Sequence, residues 1–126
     1  MRWLSLWAPV FGFMALIWLL SGQSDVPAAE YVSDKLLHVV GYGVFGLLCL
    51  RACHGGLGKL RRGPALAAIL FGVGYAAVDE MHQAWVPGRF SSLGDWGADV
   101  VGVGLAVLLV AALGAVTRGN SSGHEA

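Results

Sequence analysis

The stretch of the chain best equipped for chemistry is Asp79-Glu80-Met81-His82-Gln83, which holds two carboxyl groups and an imidazole within four positions. Carboxyl and imidazole groups are common general acids and bases in proteins. At about 100° per residue along a helix, the polar side chains fall on one side, with Asp79, His82 and Gln83 grouped most tightly. We therefore expect Asp79 or Glu80 to form a general acid and base pair with His82.

Basic side chains suggest the kind of group that this run acts on. Arg89 follows Pro87 and Gly88 in a turn, and Lys35 lies earlier in the chain. Arginine binds phosphate through two parallel hydrogen bonds and lysine binds it as a point charge, so both are predicted to clamp a phosphate-bearing or lipid-linked substrate. Ser91 is a weak candidate nucleophile. The sequence holds neither a nucleophile elbow nor a His-Glu-x-x-His zinc motif, and it leaves open whether any reaction is catalysed.

Two other segments carry polar side chains one helical turn apart. Asp34 and His38 form one pair, and Asp95 and Asp99 form the other. We expect three helix ends to converge on one polar pocket. The predicted catalytic residues are Asp79, Glu80, His82 and Arg89, and the predicted ligand-binding residues are Asp34, Lys35, His38, Gln83, Ser91, Asp95 and Asp99.

A bound metal ion is a second account of the same side chains. Carboxylates that face one another repel unless a cation or protonation relieves them. The side chains available to one divalent ion are His38, Asp79, Glu80, His82, Asp95 and Asp99. Because no ligand spacing among them is diagnostic, no metal ligand is assigned and the cofactor is unknown at this stage.

In a third account these side chains only satisfy one another. Asp34 would then cap the second helix and Asp95 the fourth. Arg89 would pair with Glu80, while His38 would bond Asp79 across two helices. Capping is the favoured role for the two aspartates, but it does not account for an ionisable cluster of four residues, which inside a membrane protein is functional by default.

The composition indicates the solvent in which these groups must work. Of 126 residues, 56% are hydrophobic and 13% are charged. The mean hydropathy is +0.67. Soluble domains carry about 25% charged residues, so the deficit indicates a lipid environment. The formal net charge is zero, which gives no basic field for nucleic acid, and no nucleic-acid partner is expected.

Four apolar segments are long enough to cross a bilayer, since a span needs about 17 to 25 residues. The predicted spans are residues 3–20, 36–53, 65–85 and 96–117. They form one predicted transmembrane domain over residues 1–117, an all-α bundle of four helices, and residues 118–126 are predicted to be a disordered polar tail. The first segment is expected to be retained as a span rather than cleaved as a signal peptide, because its apolar run is too long.

The charges predict the orientation of the four spans. Six of the eight basic residues fall on one side, namely Arg2, Arg51, Lys59, Arg61, Arg62 and Arg118. Seven of the eight acids fall on the other side, namely Asp25, Glu30, Asp34, Asp79, Glu80, Asp95 and Asp99. The positive-inside rule therefore predicts that both termini face the cytoplasm and that the polar pocket faces outward.

Small residues recur every four positions in the last two spans. The third span holds Ala68, Gly72 and Ala76, and the fourth holds Gly94, Ala98, Gly102 and Ala106. Such rows let helix backbones approach closely in lipid. They predict a close interface between the third and fourth spans.

Four motifs together resemble the VanZ-like family. They are Asp34-Lys35-Leu36-Leu37-His38, Asp79-Glu80-Met81-His82-Gln83, Val86-Pro87-Gly88-Arg89 and Asp95-Trp96-Gly97-Ala98-Asp99. The resemblance covers nearly the whole chain and implies a small integral membrane protein of the bacterial cell envelope. The family takes its name from a protein associated with resistance to the glycopeptide teicoplanin, but the resemblance supplies no reaction and does not imply resistance here.

The resulting hypothesis is a multi-pass protein of the bacterial cytoplasmic membrane, with the lipid bilayer as its surroundings. It is expected to recognise or modify a glycopeptide or a lipid-linked envelope component at the outer face. The alternative is a non-catalytic scaffold or binding protein whose polar cluster fastens the helices together.

Overall fold

The computed structural model describes residues 1–25 and 32–122, the last four of these by their backbone only. Within these ranges the chain forms four α-helices and no strand. They are α1 (Arg2–Ser21), α2 (Asp34–Cys53), α3 (Arg62–Gln83) and α4 (Leu93–Ser122). The predicted all-α architecture of four helices is confirmed.

Each helix is long and apolar enough to cross a membrane. A helix of about 20 residues spans about 30 Å, the thickness of a hydrocarbon core. Large apolar side chains cover the outside of the bundle, among them Leu4, Leu70 and Leu108, each more than half exposed. This surface suits a lipid bilayer.

Every helix begins earlier than predicted, and serine residues cap two of them. The Ser33 hydroxyl oxygen accepts a hydrogen bond from the backbone N–H of Leu36 at 3.2 Å, so α2 begins at Asp34 rather than at residue 36. The Ser92 hydroxyl oxygen accepts from the backbone N–H of Asp95 at 3.0 Å, so α4 begins before residue 96. The prediction that Asp34 and Asp95 are the caps was wrong, since both lie inside the first turn.

Two helix ends also differ from the prediction. The end of α3 is Gln83 rather than residue 85, because the N–H of Trp85 bonds the carbonyl three residues back instead of four. No proline follows Pro87, and α4 continues to Ser122 instead of ending at residue 117. Residues 118–122 of the predicted disordered tail are therefore helical, and residues 123–126 lie outside the described residues.

Polar contacts show which helix ends meet. Ser21 at the end of α1 bonds Asp79 near the end of α3. Lys35 at the start of α2 bonds Asp95 at the start of α4. At the opposite end of the bundle, Arg2 donates to a carbonyl of the loop after α2. The predicted polar segments are thus at one end, and the start of α1 and the end of α4 are at the other.

The closest helix interface is not the predicted one. Gly102 of α4 lies against the backbone of Tyr42 and Gly43 in α2, and α2 and α4 share the most extensive interface of the bundle. Likewise Ala106 lies against Gly46 of α2. The prediction that the small-residue row of α4 faces α3 was wrong at these positions, because α2 offers glycines at matching heights.

The small-residue row of α3 still contacts α4, but through a larger side chain. Gly72 faces Val103, whose methyl group would lie 3.1 Å from a Cβ at position 72. At the centre of the core Phe45 is fully buried and contacts Phe13, Phe71 and Tyr75. This aromatic cluster joins α1, α2 and α3 beneath the polar end.

Replacing Gly102 should test the close contact between α2 and α4. In a Gly102→Ala variant the new Cβ would lie 2.9 Å from the backbone nitrogen of Gly43, and backbone cannot rotate away as a side chain can. Overpacking of this kind costs about 1 to 3 kcal/mol. We expect the thermal unfolding midpoint in detergent to fall by several degrees.

Gly104→Ala is the matched control for this variant. It lies on the same helix, and a Cβ at Gly104 meets nothing within 4 Å. Both changes gain the same helix propensity, about 1 kcal/mol, so the difference between them isolates the packing. Equal midpoints for the two variants would contradict the close contact.

Candidate functional site

Four carboxyl groups are buried at one end of the bundle. Asp79 and Glu80 of α3 are 1% and 6% exposed, and Asp95 and Asp99 of α4 are 8% and 0% exposed. An ionised carboxylate is costly to bury unless it is paired or hydrogen-bonded. The partners of these four groups therefore determine what this end of the molecule can do.

Asp79 accepts hydrogen bonds from three side chains. The Ser21 hydroxyl of α1 donates to Oδ1 at 2.6 Å. The Tyr42 hydroxyl of α2 and the Gln83 amide of α3 both donate to Oδ2 at 3.3 Å. Asp79 thus ties α1 and α2 to α3.

His82 is linked to Asp79 only through Ser21. Its ring stacks face to face on Trp18 of α1, with centroids 3.7 Å apart and planes at 8°. Its Nδ1 lies 3.3 Å from the Ser21 hydroxyl oxygen. The expected direct pair of His82 with Asp79 or Glu80 is not formed.

His38 of α2 pairs with α4 instead of α3. Its Nδ1 lies 2.8 Å from Asp99 Oδ1, and its Nε2 lies 3.8 Å from Asp34 Oδ2. The predicted bond between His38 and Asp79 was therefore wrong. The close approach of α2 to α4 turns His38 toward Asp99, and Tyr42, one turn later, reaches Asp79 in its place.

Asp95 is held by two side chains in the first turn of α4. Lys35 donates to Oδ1 at 2.9 Å, and the Ser92 hydroxyl donates to Oδ2 at 2.7 Å. The Lys35 side chain is 63% exposed, so this ion pair lies where the cluster opens to solvent. The Lys35 ammonium group is therefore already paired with the Asp95 carboxylate.

Arg89 and Glu80 do not form the predicted pair. Arg89 donates to the Gln83 side-chain oxygen at 2.9 Å and to the carbonyl of Gln23 at 3.5 Å. Glu80 instead accepts at Oε2 from the backbone N–H of Ser92 at 3.1 Å. The turn after α3 carries Arg89 back over the helix end toward the segment that follows α1, away from Glu80. Nearby Ser91 is exposed.

Two buried carboxylate oxygens have no hydrogen-bond partner among the described residues. They are Oε1 of Glu80 and Oδ2 of Asp99. With His38, these two residues form a group whose ligand atoms all lie within 4.8 Å of one another. A second such group, Asp34 with His38 and Asp95, shares the same histidine.

A cavity of about 540 Å³ opens beside the cluster. It lies between α1 and α2 and has both polar and apolar walls. Its polar lining comprises Ser21, Asp34, His38, Tyr42, Asp79, Gln83 and Arg89, and its apolar lining comprises Phe13, Leu16, Ile17, Leu20, Leu37 and Val40, with Gly41. Apolar atoms make up most of its exposed lining, and the polar side chains border it at the cluster, so the lining suits a mainly apolar molecule with a polar end.

Several side chains of this end were not predicted from the sequence. Tyr42 continues the Asp34 and His38 row by one more turn, and that spacing was a usable signal. Ser92 stands three positions before Asp95, which is the spacing of a helix cap. Ser21 had no such signal, because it ends an otherwise apolar span and meets Asp79 only through the fold.

Comparison with known proteins agrees with the resemblance seen in the sequence. A family model described as VanZ/LLP1 matches residues 4–114, a range that contains every predicted catalytic and ligand-binding residue. No curated protein and no solved structure matches the chain. With four helices of membrane-spanning length, the chain therefore belongs to the VanZ/LLP1 family as a VanZ-like membrane protein.

Proposed function

We propose that this protein binds an amphiphilic component of the bacterial cell envelope, a lipid-linked precursor or a glycopeptide, at the outer face of the cytoplasmic membrane. The observation that carries the proposal is the cavity between α1 and α2. Polar side chains line it near the ends of the helices, and apolar side chains from both helices line the remainder. A lipid tail would lie along α1 and α2, and a head group would lie among the polar side chains.

Arg89 gives the cavity a basic group for a phosphate. It lines the cavity, and among the described residues it is held by Gln83 and Gln23 through neutral oxygens rather than by a carboxylate. A guanidinium with uncommitted donors suits a phosphate. Asp34, half exposed at the same end, would accept hydrogen bonds from sugar hydroxyl or amine groups.

The proposed outward orientation rests on the distribution of charge. The end of the bundle opposite the cluster carries Arg51, Lys59, Arg61 and Arg62. Basic loops stay on the cytoplasmic side during insertion. The cluster would then face outward, and the start of α1 and the end of α4 would face the cytoplasm.

The lining of the cavity favours recognition over modification. Of the four predicted catalytic residues, Asp79 and Arg89 line the cavity, whereas Glu80 and His82 do not. Asp79 already accepts three hydrogen bonds, and His82 is stacked on Trp18. A ligand in this cavity would therefore be contacted by binding groups rather than by an acid and base pair.

Narrowing the cavity should weaken binding. A Cβ at Gly41 meets nothing within 4 Å, and Gly41 lines the cavity, so Gly41→Leu would extend a side chain into it. We expect the affinity of the detergent-purified protein to fall at least tenfold, measured by native mass spectrometry with a polyprenyl-diphosphate-linked disaccharide and, separately, with teicoplanin. The two probes separate a lipid-linked precursor from a glycopeptide.

Gly74→Leu is the control for this experiment, since Gly74 is exposed on α3 and its Cβ also meets nothing within 4 Å. It should bind as the unmodified protein does. Binding of neither probe by the unmodified protein, or equal binding by the two variants, would reject the proposal.

Arg89→Gln should weaken binding of the phosphate-bearing probe. Loss of a charge-assisted hydrogen bond costs about 1.5 to 3 kcal/mol, or about 10- to 100-fold in affinity. Arg62→Gln, an exposed arginine at the other end of the bundle, should leave the affinity unchanged. If Arg89→Gln binds as tightly as Arg62→Gln, the guanidinium does not hold the phosphate.

A scaffold role is the second candidate, and one observation favours it. The buried carboxylates are bonded across helices, with Asp79 joined to Ser21 and Tyr42, and Asp99 joined to His38. Such bonds fasten a bundle in lipid, where apolar surfaces give little specificity. If the protein is a scaffold, the polar cluster presents a fixed surface to a partner. Neither the lipid-linked probe nor teicoplanin then binds in the cavity.

Ser21→Ala tests whether the hydrogen bond to Asp79 holds α1 against α3. It leaves Asp79 Oδ1 without its 2.6 Å donor, and a hydrogen bond to a charged group contributes about 1.5 to 3 kcal/mol. We expect a lower unfolding midpoint than in Ser5→Ala, whose hydroxyl bonds only its own helix. Equal midpoints for the two serine variants would show that this bond does not hold α1.

A further inference from the structure

Three buried polar side chains of this end converge, and two of their oxygens have no partner among the described residues. His38 of α2, Glu80 of α3 and Asp99 of α4 each offer a ligand atom, and these atoms lie within 4.8 Å of one another. Glu80 and Asp99 are 6% and 0% exposed, and the His38 side chain is 9% exposed. Three different helices thus deliver one imidazole and two carboxyl groups to one point.

Each of the two carboxyl groups has one oxygen held and one unpaired. Glu80 Oε2 accepts from Ser92, and Asp99 Oδ1 lies 2.8 Å from His38 Nδ1. Glu80 Oε1 and Asp99 Oδ2 have no partner among the described residues, although both are buried. An unsatisfied buried oxygen of a charged group is among the costliest features a fold can keep. Two of them in one group are satisfied either by a shared proton or by a bound cation, and the imidazole beside them favours a cation.

The neighbouring cationic side chains do not pair with these two oxygens. Lys35 is bonded to Asp95 and is largely exposed, while Arg89 is bonded to Gln83 and Gln23. Neither donates to Glu80 or Asp99 in the described part of the chain. Further acids, Asp34 and Asp79, surround the group and add negative charge.

We propose that His38, Glu80 and Asp99 bind one divalent transition-metal ion, such as Zn²⁺ or Mn²⁺. An imidazole with two carboxylates is a mixed nitrogen and oxygen set, which these ions accept and which Mg²⁺ and Ca²⁺, with their preference for all-oxygen ligands, do not favour. Ligand atoms about 2.1 Å from an ion lie roughly 3.0 to 3.4 Å apart. The three side chains, whose ligand atoms lie within 4.8 Å of one another, would close to that spacing on binding the ion.

The alternative group of Asp34, His38 and Asp95 is the weaker site. Asp95 is already bonded by Lys35 and Ser92, and the Asp34 side chain is 51% exposed. It contains neither of the unpaired oxygens. Because both groups use His38, the described residues can hold one ion in this place, and we assign it to the buried group.

The site is tested on the full-length protein in detergent, stripped with a chelator and then equilibrated with Zn²⁺ or Mn²⁺ alone. Elemental analysis should find one ion per chain, and a Zn²⁺ concentration 100-fold above the dissociation constant should raise the unfolding midpoint. Mg²⁺ at the same concentration should raise it less. Neither readout needs a lipid or glycopeptide ligand, so its outcome is separate from that of the proposed function.

Substitutions test which side chains bind the ion. Glu80→Gln keeps an oxygen for the Ser92 N–H, and Asp99→Asn keeps one for His38, so both preserve the recorded bonds while removing a charge. Each should weaken Zn²⁺ binding at least tenfold. The exposed Asp25→Asn should bind as the unmodified protein does, and Asp34→Asn, which removes a neighbouring charge but no proposed ligand, should weaken binding less than either.

A readout on the unmodified protein guards against variants that fail to fold. Co²⁺ in place of Zn²⁺ should give visible absorption bands whose intensity reports a low-coordinate site with a nitrogen ligand. The proposal is overturned by a chain that binds no ion, by loss of the ion in Asp34→Asn with retention in Glu80→Gln, or by Co²⁺ bands equal to those of the aqueous ion.

Discussion

The structure depends on one constraint, which is that carboxylates buried at the end of a lipid-embedded bundle must each be given donors from other helices. Asp79 is the clearest instance, since Ser21 and Tyr42 reach it from α1 and α2. Without those donors, the burial of Asp79 would oppose the packing of α3. The same groups that give this end its chemistry therefore also fix the relative positions of its helices.

The close backbone contact between α2 and α4 determines which partners are available. Gly102 lets α4 lie directly against Tyr42 and Gly43, and that approach brings His38 to Asp99 and Lys35 to Asp95. α3 then meets α4 through Val103 rather than through a backbone contact. Glu80 and Asp99 stay near each other but share no donor, so their second oxygens have no partner in the described part of the chain.

The sequence predicted the helices and the level of each polar group, but not the pairings. Hydropathy and length fixed four helices, and chain order put Asp34, Asp79 and Asp95 at one end. A pairing depends also on the rotation of each helix about its axis, which side-chain packing sets. His38 therefore turned toward Asp99 instead of Asp79, and the contribution of Ser21, on a span with no other signal, was not predictable.

The two candidate functions, ligand binding and a scaffold role, both depend on the same contacts of α1. α1 is held at the polar end by Ser21, by the stack of Trp18 on His82, and by the Ser24 hydroxyl on the Pro87 carbonyl. The cavity lies between α1 and α2, so these contacts also set its width. A ligand that competed with Ser21 for Asp79 would loosen α1 and open the cavity further. Under the proposed function, fastening and binding would be two uses of one set of hydrogen bonds. A ligand would then have to offer donors equivalent to Ser21 in order to replace it.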